Sequence, residues 1–277
     1  MNEAEKAGNV FDEMGIYWAE IADENSTARQ IESLKNTVKR DGLILDLACG
    51  TGRHTNPLTI EGYNILGLDV SSTLLRIAKN RSIQAQLVKA DMQHLPFKPK
   101  AFLAALSMDT SFGYLPSEED DLQSLTELRE TLSQGGLLVL DVFNREHLIR
   151  KYKTGLKRRF LALLKWMPLP LLLKLPSRLS KRLLFWFFKW KEYPSFFLLQ
   201  KRTVSSNGES LCDLWVIYDK DKMRINVFRH VVRLYELGRL HVLLGKAGFL
   251  VNRVYGDYEG QNFSVASSRL IVMASAK

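Results

Sequence analysis

Cysteine is nearly absent: only Cys49 and Cys212 occur in 277 residues. Two cysteines cannot build a disulfide framework, and such usage fits a reducing compartment. Long apolar runs are missing too. The longest in the most apolar region, Trp166 to Leu173, has eight residues and contains Pro168 and Pro170, far short of the ~18 a spanning helix needs. The opening MNEAEKAGNV carries neither a basic nor an apolar signal region, so no secretory signal is expected and the chain is expected to be cytoplasmic. The five histidines, at 54, 94, 147, 230 and 241, are scattered. With no HxxxH or CxxC spacing, no metal site is expected. Internal repeats and low-complexity tracts are also lacking.

What is present is uneven. The formal net charge is +9, but it is concentrated in one segment. Residues 150–202 hold 15 Lys/Arg against the single acid Glu192, a local charge of +14, and the remaining 24 Lys/Arg against 29 Asp/Glu leave −5 elsewhere. The basic balance therefore describes 53 residues and not the whole protein.

Along the chain, residues 10–40 read as amphipathic helix, with Ser26 or Thr27 as N-cap of the stretch leading to Lys39. An apolar strand-length run, Leu43 to Ala48, then closes on Gly50-Thr51-Gly52. A helix to about Glu61, a strand Ile65–Asp69, and a helix capped by Ser71 or Ser72 follow. Further strands are expected at Gln86–Ala90, Phe102–Met108 and Leu137–Phe143, with a helix over 118–133. This alternation predicts βαβ units and a doubly wound, mostly parallel sheet with helices on both faces. After Phe143 the pattern breaks. β-type runs occupy Phe196–Ser205, Ser210–Tyr218 and Met223–Leu234, with Asn207-Gly208 as a turn signal. A helix over 235–247 and two last strands, Val251–Tyr255 and Leu270–Ala274, complete a seven-stranded sheet. The expected domains are 1–149 and 235–277 as core, with 150–234 inserted.

The turn Cys49-Gly50-Thr51-Gly52-Arg53-His54 follows a strand and lets backbone approach a ligand. A dinucleotide fingerprint would need a third glycine, which is missing. By itself the turn says little. Its neighbours say more. ILDLACGTGRHT (44–55) resembles motif I of the class I S-adenosylmethionine (SAM)-dependent methyltransferases. GLDVS (67–71), KADMQHLPF (89–97), LSMDTSFGYL (106–115) and LSQGGLLVLDVF (132–143) resemble the motifs that follow it, in order. The likeness spans 43–143 closely and 235–275 loosely. It implies SAM as cofactor, lying across the carboxyl ends of the strands. The resemblance places Asp46, Gly50 and Gly52 at the methionine moiety and Asp69 at the ribose hydroxyls. Asp91 falls at the adenine amine, Met92 at its ring, and Ser107 and Met108 on the far side; Ala48 and Val70 complete the set. Cys49 reads as a small buried residue and not a nucleophile.

Methyl transfer from a sulfonium demands mainly position and desolvation. A general base matters only for an acceptor that must lose a proton. His147, His230, Asp109 and Tyr114 are the candidates, and the sequence does not choose among them.

In methyltransferases of this kind an insertion after strand five forms a lid over the acceptor. Here the insertion reads as basic amphipathic helices, about 150–166 and Ser177 to Lys191, joined through the Pro168 and Pro170 break. The second sets Arg178, Lys181, Arg182 and Lys189 against Leu183, Leu184, Trp186, Phe187 and Trp190. A basic face opposite a Trp/Phe/Leu face suits the surface of an anionic membrane. The expected acceptor is therefore a hydrophobic small molecule such as a lipid or quinone. The same face could instead pack on the protein's own core, or track nucleic acid, as in an RNA methyltransferase. Other readings are a soluble metabolite as acceptor, or a SAM-binding protein without turnover.

Overall fold

The computed structural model describes Glu3–Ile21, Glu24–Lys153 and Lys189–Lys277. It divides into two units, one made of Met1–His147 with Val232–Lys277 and the other of Leu148–Val231.

The first unit is a seven-stranded sheet flanked by helices. In chain order its strands are β1 (Ile44–Leu47), β2 (Ile65–Asp69), β3 (Gln86–Lys89), β4 (Phe102–Ser107) and β5 (Leu132–Phe143). The last two are β10 (Phe249–Tyr255) and β11 (Arg269–Ala276). They lie in the order β10-β11-β5-β4-β1-β2-β3. The first five are parallel, and β11 runs antiparallel to both β5 and β10. β1 is central, paired to β2 and β4, and all four of its residues are buried. A short strand of mainly apolar residues is what such a position requires, with Asp46 its one polar member. Alternate residues feed two cores. Leu45 and Leu47 join Leu125, Leu128, Leu240 and Leu243 on one face, while Ile44 meets Ile31, Leu34 and Leu58 on the other.

The helices are α1 (Glu3–Ile21), α2 (Glu24–Lys35), α3 (Thr55–Ile60), α4 (Ser72–Arg81), α5 (Glu118–Thr131), α6 (Arg145–Lys153) and α7 (Leu237–Lys246). Ser71 caps α4 by accepting the Leu74 N–H, and Ser117 and Asp120 form a reciprocal capping box on α5. The N-terminal expectation is corrected. Ser26 and Thr27 lie inside α2, and that helix ends at Lys35. Thr27 is engaged elsewhere, its hydroxyl accepting from Arg53.

The second unit carries an antiparallel sheet, β6 (Lys189–Glu192), β7 (Phe196–Val204), β8 (Ser210–Asp219) and β9 (Arg224–Arg233), in that spatial order. Gly208, at φ +77°, turns β7 into β8, where Asn207-Gly208 signalled it. Strand β6 is a further correction. Lys189, Trp190 and Lys191, expected at a helix end, pair with Gln200, Leu199 and Leu198. The rest of both basic helices, residues 154–188, lies outside the described residues. Among the described residues no helix is long and apolar enough to cross a membrane, and no cluster of metal-ligating side chains occurs.

Candidate functional site

A cleft of about 1100 Å³, counting its open mouth, lies at the carboxyl ends of β1, β2 and β4. That is where ligands enter open α/β sheets. Its floor is the turn after β1. Ala48, Gly50 and Gly52 all have positive φ, at 57°, 56° and 73°. Gly50 faces open space, so a side chain there would project into the cleft. Gly52 points the other way: a Cβ would meet the Asn56 side chain at 2.8–2.9 Å. Helix α3 begins only at Thr55, three residues beyond Gly52.

Two buried carboxylates define the polar end. Asp46 accepts from the Thr55 hydroxyl at 2.6 Å, and burial pushes its carboxyl up to about 6. Asp69 accepts the Gly50 N–H on one oxygen and the Ser71 N–H on the other, both at 2.8 Å. Those bonds tie the ends of β1 and β2 together. Each oxygen keeps a further lone pair, and the carboxylate lies on the cleft. Burial raises its carboxyl above the ordinary range, opposed by the two amides. Beside them Thr51, 1% exposed, lines the cleft with a hydroxyl that has no hydrogen-bond partner. A buried orphan of this kind costs stability unless a ligand satisfies it.

The other walls are apolar. Met92, Leu74 and Leu115 line the cleft, and α1 contributes Phe11 and Trp18, whose rings meet edge-to-face at 5.7 Å. Tyr114 packs edge-on against Phe11 at 5.2 Å. After β4 the chain turns through Asp109 and Thr110, at φ 53° and 62°. Two consecutive non-glycine residues in this region cost about 1–2 kcal/mol each. Asp109, with its side chain 42% exposed, pairs with Arg53 at 2.7 Å. Both residues line the cleft, so the pair joins the glycine turn to the β4 loop.

Of the residues singled out for the cofactor, Asp46, Ala48, Gly50, Asp69, Val70, Asp91, Met92 and Met108 line this cleft. Gly52 does not, and Ser107 is buried in a hydroxyl pair with Ser111. Of the candidate bases, Asp109 and Tyr114 line it. His147 lies on α6, bonded to the Ala266 carbonyl at 3.2 Å. His230 belongs to β9, buried beside Trp215, with Asp213 at 3.9 Å. Cys49 is buried, its thiol pushed well up by desolvation. Sequence reasoning missed Phe11, Trp18 and Thr51. The seven-residue spacing of Phe11 and Trp18 puts both on one helix face, the one signal that marked them.

The chemistry of the set fits SAM. A strand-end carboxylate suits vicinal hydroxyls, the apolar wall suits a flat ring, and an orphan hydroxyl awaits a partner. Residues 44–136 match the model of the methyltransferase domain family. Residues 44–136 carry a methyltransferase domain, on the class I fold. The cofactor of that class is SAM.

The chain is 36% identical over 98 residues to the dTDP-3-amino-3,4,6-trideoxy-α-D-glucopyranose N,N-dimethyltransferase of Streptomyces venezuelae. That match covers 35% of this chain and 41% of the relative, so the chain spans well under two thirds of its length. In structure it resembles the CcbJ methyltransferase from Streptomyces caelestis, with a TM-score of 0.73 at 14% identity, covering 97% of this chain and 98% of that one. It also resembles the SAM-bound amino pentose methyltransferase CalS10 from Micromonospora echinaspora, with a TM-score of 0.61 at 14% identity and 95% of each chain covered.

Proposed function

We propose that this protein transfers a methyl group from SAM to a small molecule with an apolar body, working at an anionic membrane surface. The cleft carries the first half of this reading. Asp69 would hold the ribose hydroxyls, Asp91 and Met92 the adenine, and Asp46, Gly50 and Thr51 the methionine end. When bound, SAM supplies an electrophilic methyl group. The chain's own part is to orient and to exclude water, which Phe11, Trp18, Met92 and Leu115 do by lining the cleft with apolar surface.

The membrane half rests on the sequence of 150–202, where a charge of +14 is interleaved with Trp, Phe and Leu. That composition suits insertion of aromatic side chains at the headgroup boundary, with Lys and Arg on anionic lipid. A lipid or quinone-like acceptor would then be drawn from the bilayer. An RNA acceptor would use the same charges with a steep salt dependence.

A second reading has its own observation. Asp109 stands exposed on the cleft, held by Arg53, and would take a proton from an amino acceptor. The name of the Streptomyces venezuelae relative agrees with an amino-bearing acceptor. One experiment separates the readings: co-sedimentation with liposomes of graded anionic lipid content, alongside labelled methyl transfer from SAM to lipid extracts, RNA and amino sugars. Binding to anionic liposomes with label in the lipid fraction supports the membrane reading. Indifference to liposomes with label in amino sugars overturns it in favour of the second.

A further inference from the structure

The strained Asp109–Thr110 turn is held from behind by a buried polar network that no part of the cofactor reading uses. At its centre is Asp141, on β5 and fully buried. One of its carboxylate oxygens accepts the Asp109 N–H at 2.9 Å and the Tyr258 hydroxyl at 2.6 Å. The other accepts Arg269 Nε–H at 2.7 Å. The Asp141 backbone carbonyl accepts the Thr110 N–H at 2.9 Å. Arg269, on β11, donates a further bond to Thr110 Oγ1 at 2.9 Å and lies over the Phe143 ring at 4.9 Å. The backbone of both left-handed residues is thus bonded to β5, and the second is also gripped by Arg269.

The network runs on into the N-terminal helices. Tyr258 Oη accepts from Gln30 Nε2 at 2.9 Å, and Gln30 Oε1 sits 2.8 Å from His54 Nε2. His54 stays neutral, pushed down to about 3 by burial, so its Nε2 carries the proton given to Gln30. A single chain of bonds therefore joins the glycine turn, α2, the loop before β11, β5 and the β4 loop. Its ends are the two cleft walls that Arg53 and Asp109 bridge directly.

We propose that Asp141 and Arg269 are positioning residues for the cofactor cleft, locking the Asp109–Thr110 turn so that its wall is formed before SAM arrives. The argument is one of geometry. Two adjacent left-handed non-glycine residues persist only where their surroundings over-determine them. Here three bonds from two strands do so, two from Asp141 and one from Arg269, and neither of these residues lines the cleft. The proposal rests on the reading of the cleft as the SAM site.

The test uses the full chain with Arg269→Met, Arg269→Lys and Tyr258→Phe. It reads SAM affinity by calorimetry and amide hydrogen exchange at Asp109–Ser111 without ligand, with the Leu45 and Leu47 amides as internal control. Arg269→Met is expected to bind SAM about tenfold more weakly, with faster exchange at Asp109 and Thr110 and unchanged protection in β1. Arg269→Lys is expected to recover part of both, and Tyr258→Phe to show a smaller loss of both. Wild-type affinity and exchange in folded Arg269→Met overturn the proposal. Should that variant fail to fold, the same null result in Tyr258→Phe does so. If the wild type binds no SAM, the cofactor reading fails, while the exchange comparison still judges the role of the network.

Discussion

Thr51 carries a polar group that the folded chain itself leaves unsatisfied. Its hydroxyl is buried without a partner on the cleft floor, and such an orphan lowers stability by about 1–3 kcal/mol. Thr51→Val keeps the shape and removes the orphan. It is expected to raise or preserve the urea midpoint while weakening SAM binding several-fold; paired denaturation and titration check both at once. Lower stability with unchanged affinity would mean that the hydroxyl serves the fold. Residues of this kind were only partly legible. The glycines and strand-end acids were, because the turn and the acceptor chemistry demand those residue types. Asp109 and Thr110 were not recognised as a left-handed pair, because neither is glycine and their conformation is imposed by Asp141 and Arg269 from distant strands.

Elements were legible where their cause is local. Strand β1 is apolar except for Asp46 because it is covered on both faces, and α4 starts after Ser71 because that side chain satisfies the Leu74 N–H. Helix α5 is the clearest case. Ser117 and Asp120 cap each other's backbone, and four acids stand in the first turn, where the helix dipole favours them. Ser117→Ala is expected to cost about 1 kcal/mol, seen as a lower denaturant midpoint with an unchanged slope. No change would mean that tertiary packing alone holds that helix end. The failures have the opposite cause. KWKE at 189–192 satisfies a period of two as well as of 3.6 over so few residues, and pairing with β7 decided for strand. Ser26 and Thr27 look like caps in sequence, but α2 already begins at Glu24.

At the scale of the whole molecule, the buried titratable groups couple folding to pH. His54 is buried neutral, pushed down from 6.5 to about 3. Between those values the native state binds one proton fewer than the unfolded chain, so its contribution is complete above pH 6.5 and is lost as pH falls. Asp46 and Asp121 are both pushed up by burial to about 6. They act in the opposite sense between about 3.8 and 6, where stability falls as pH rises. His54→Asn leaves those two terms in place. Relative to wild type, its stability is expected to change less steeply in its favour with rising pH, by ~1.4 kcal/mol per pH unit between about pH 4 and 6. Urea midpoints at three pH values check this, and parallel curves would contradict the buried, neutral state of His54. The central claim, however, is that the cleft at the carboxyl edge of the sheet holds SAM. Calorimetric titration of the full chain with SAM, wild type beside Asp69→Asn and Asp69→Ala, tests it most directly. The account predicts one site in the wild type, weakened in Asp69→Asn and by at least about tenfold in Asp69→Ala, as expected for losing charge-assisted bonds to two hydroxyls. No heat from the wild type, or equal affinity in a folded Asp69→Ala, would contradict it.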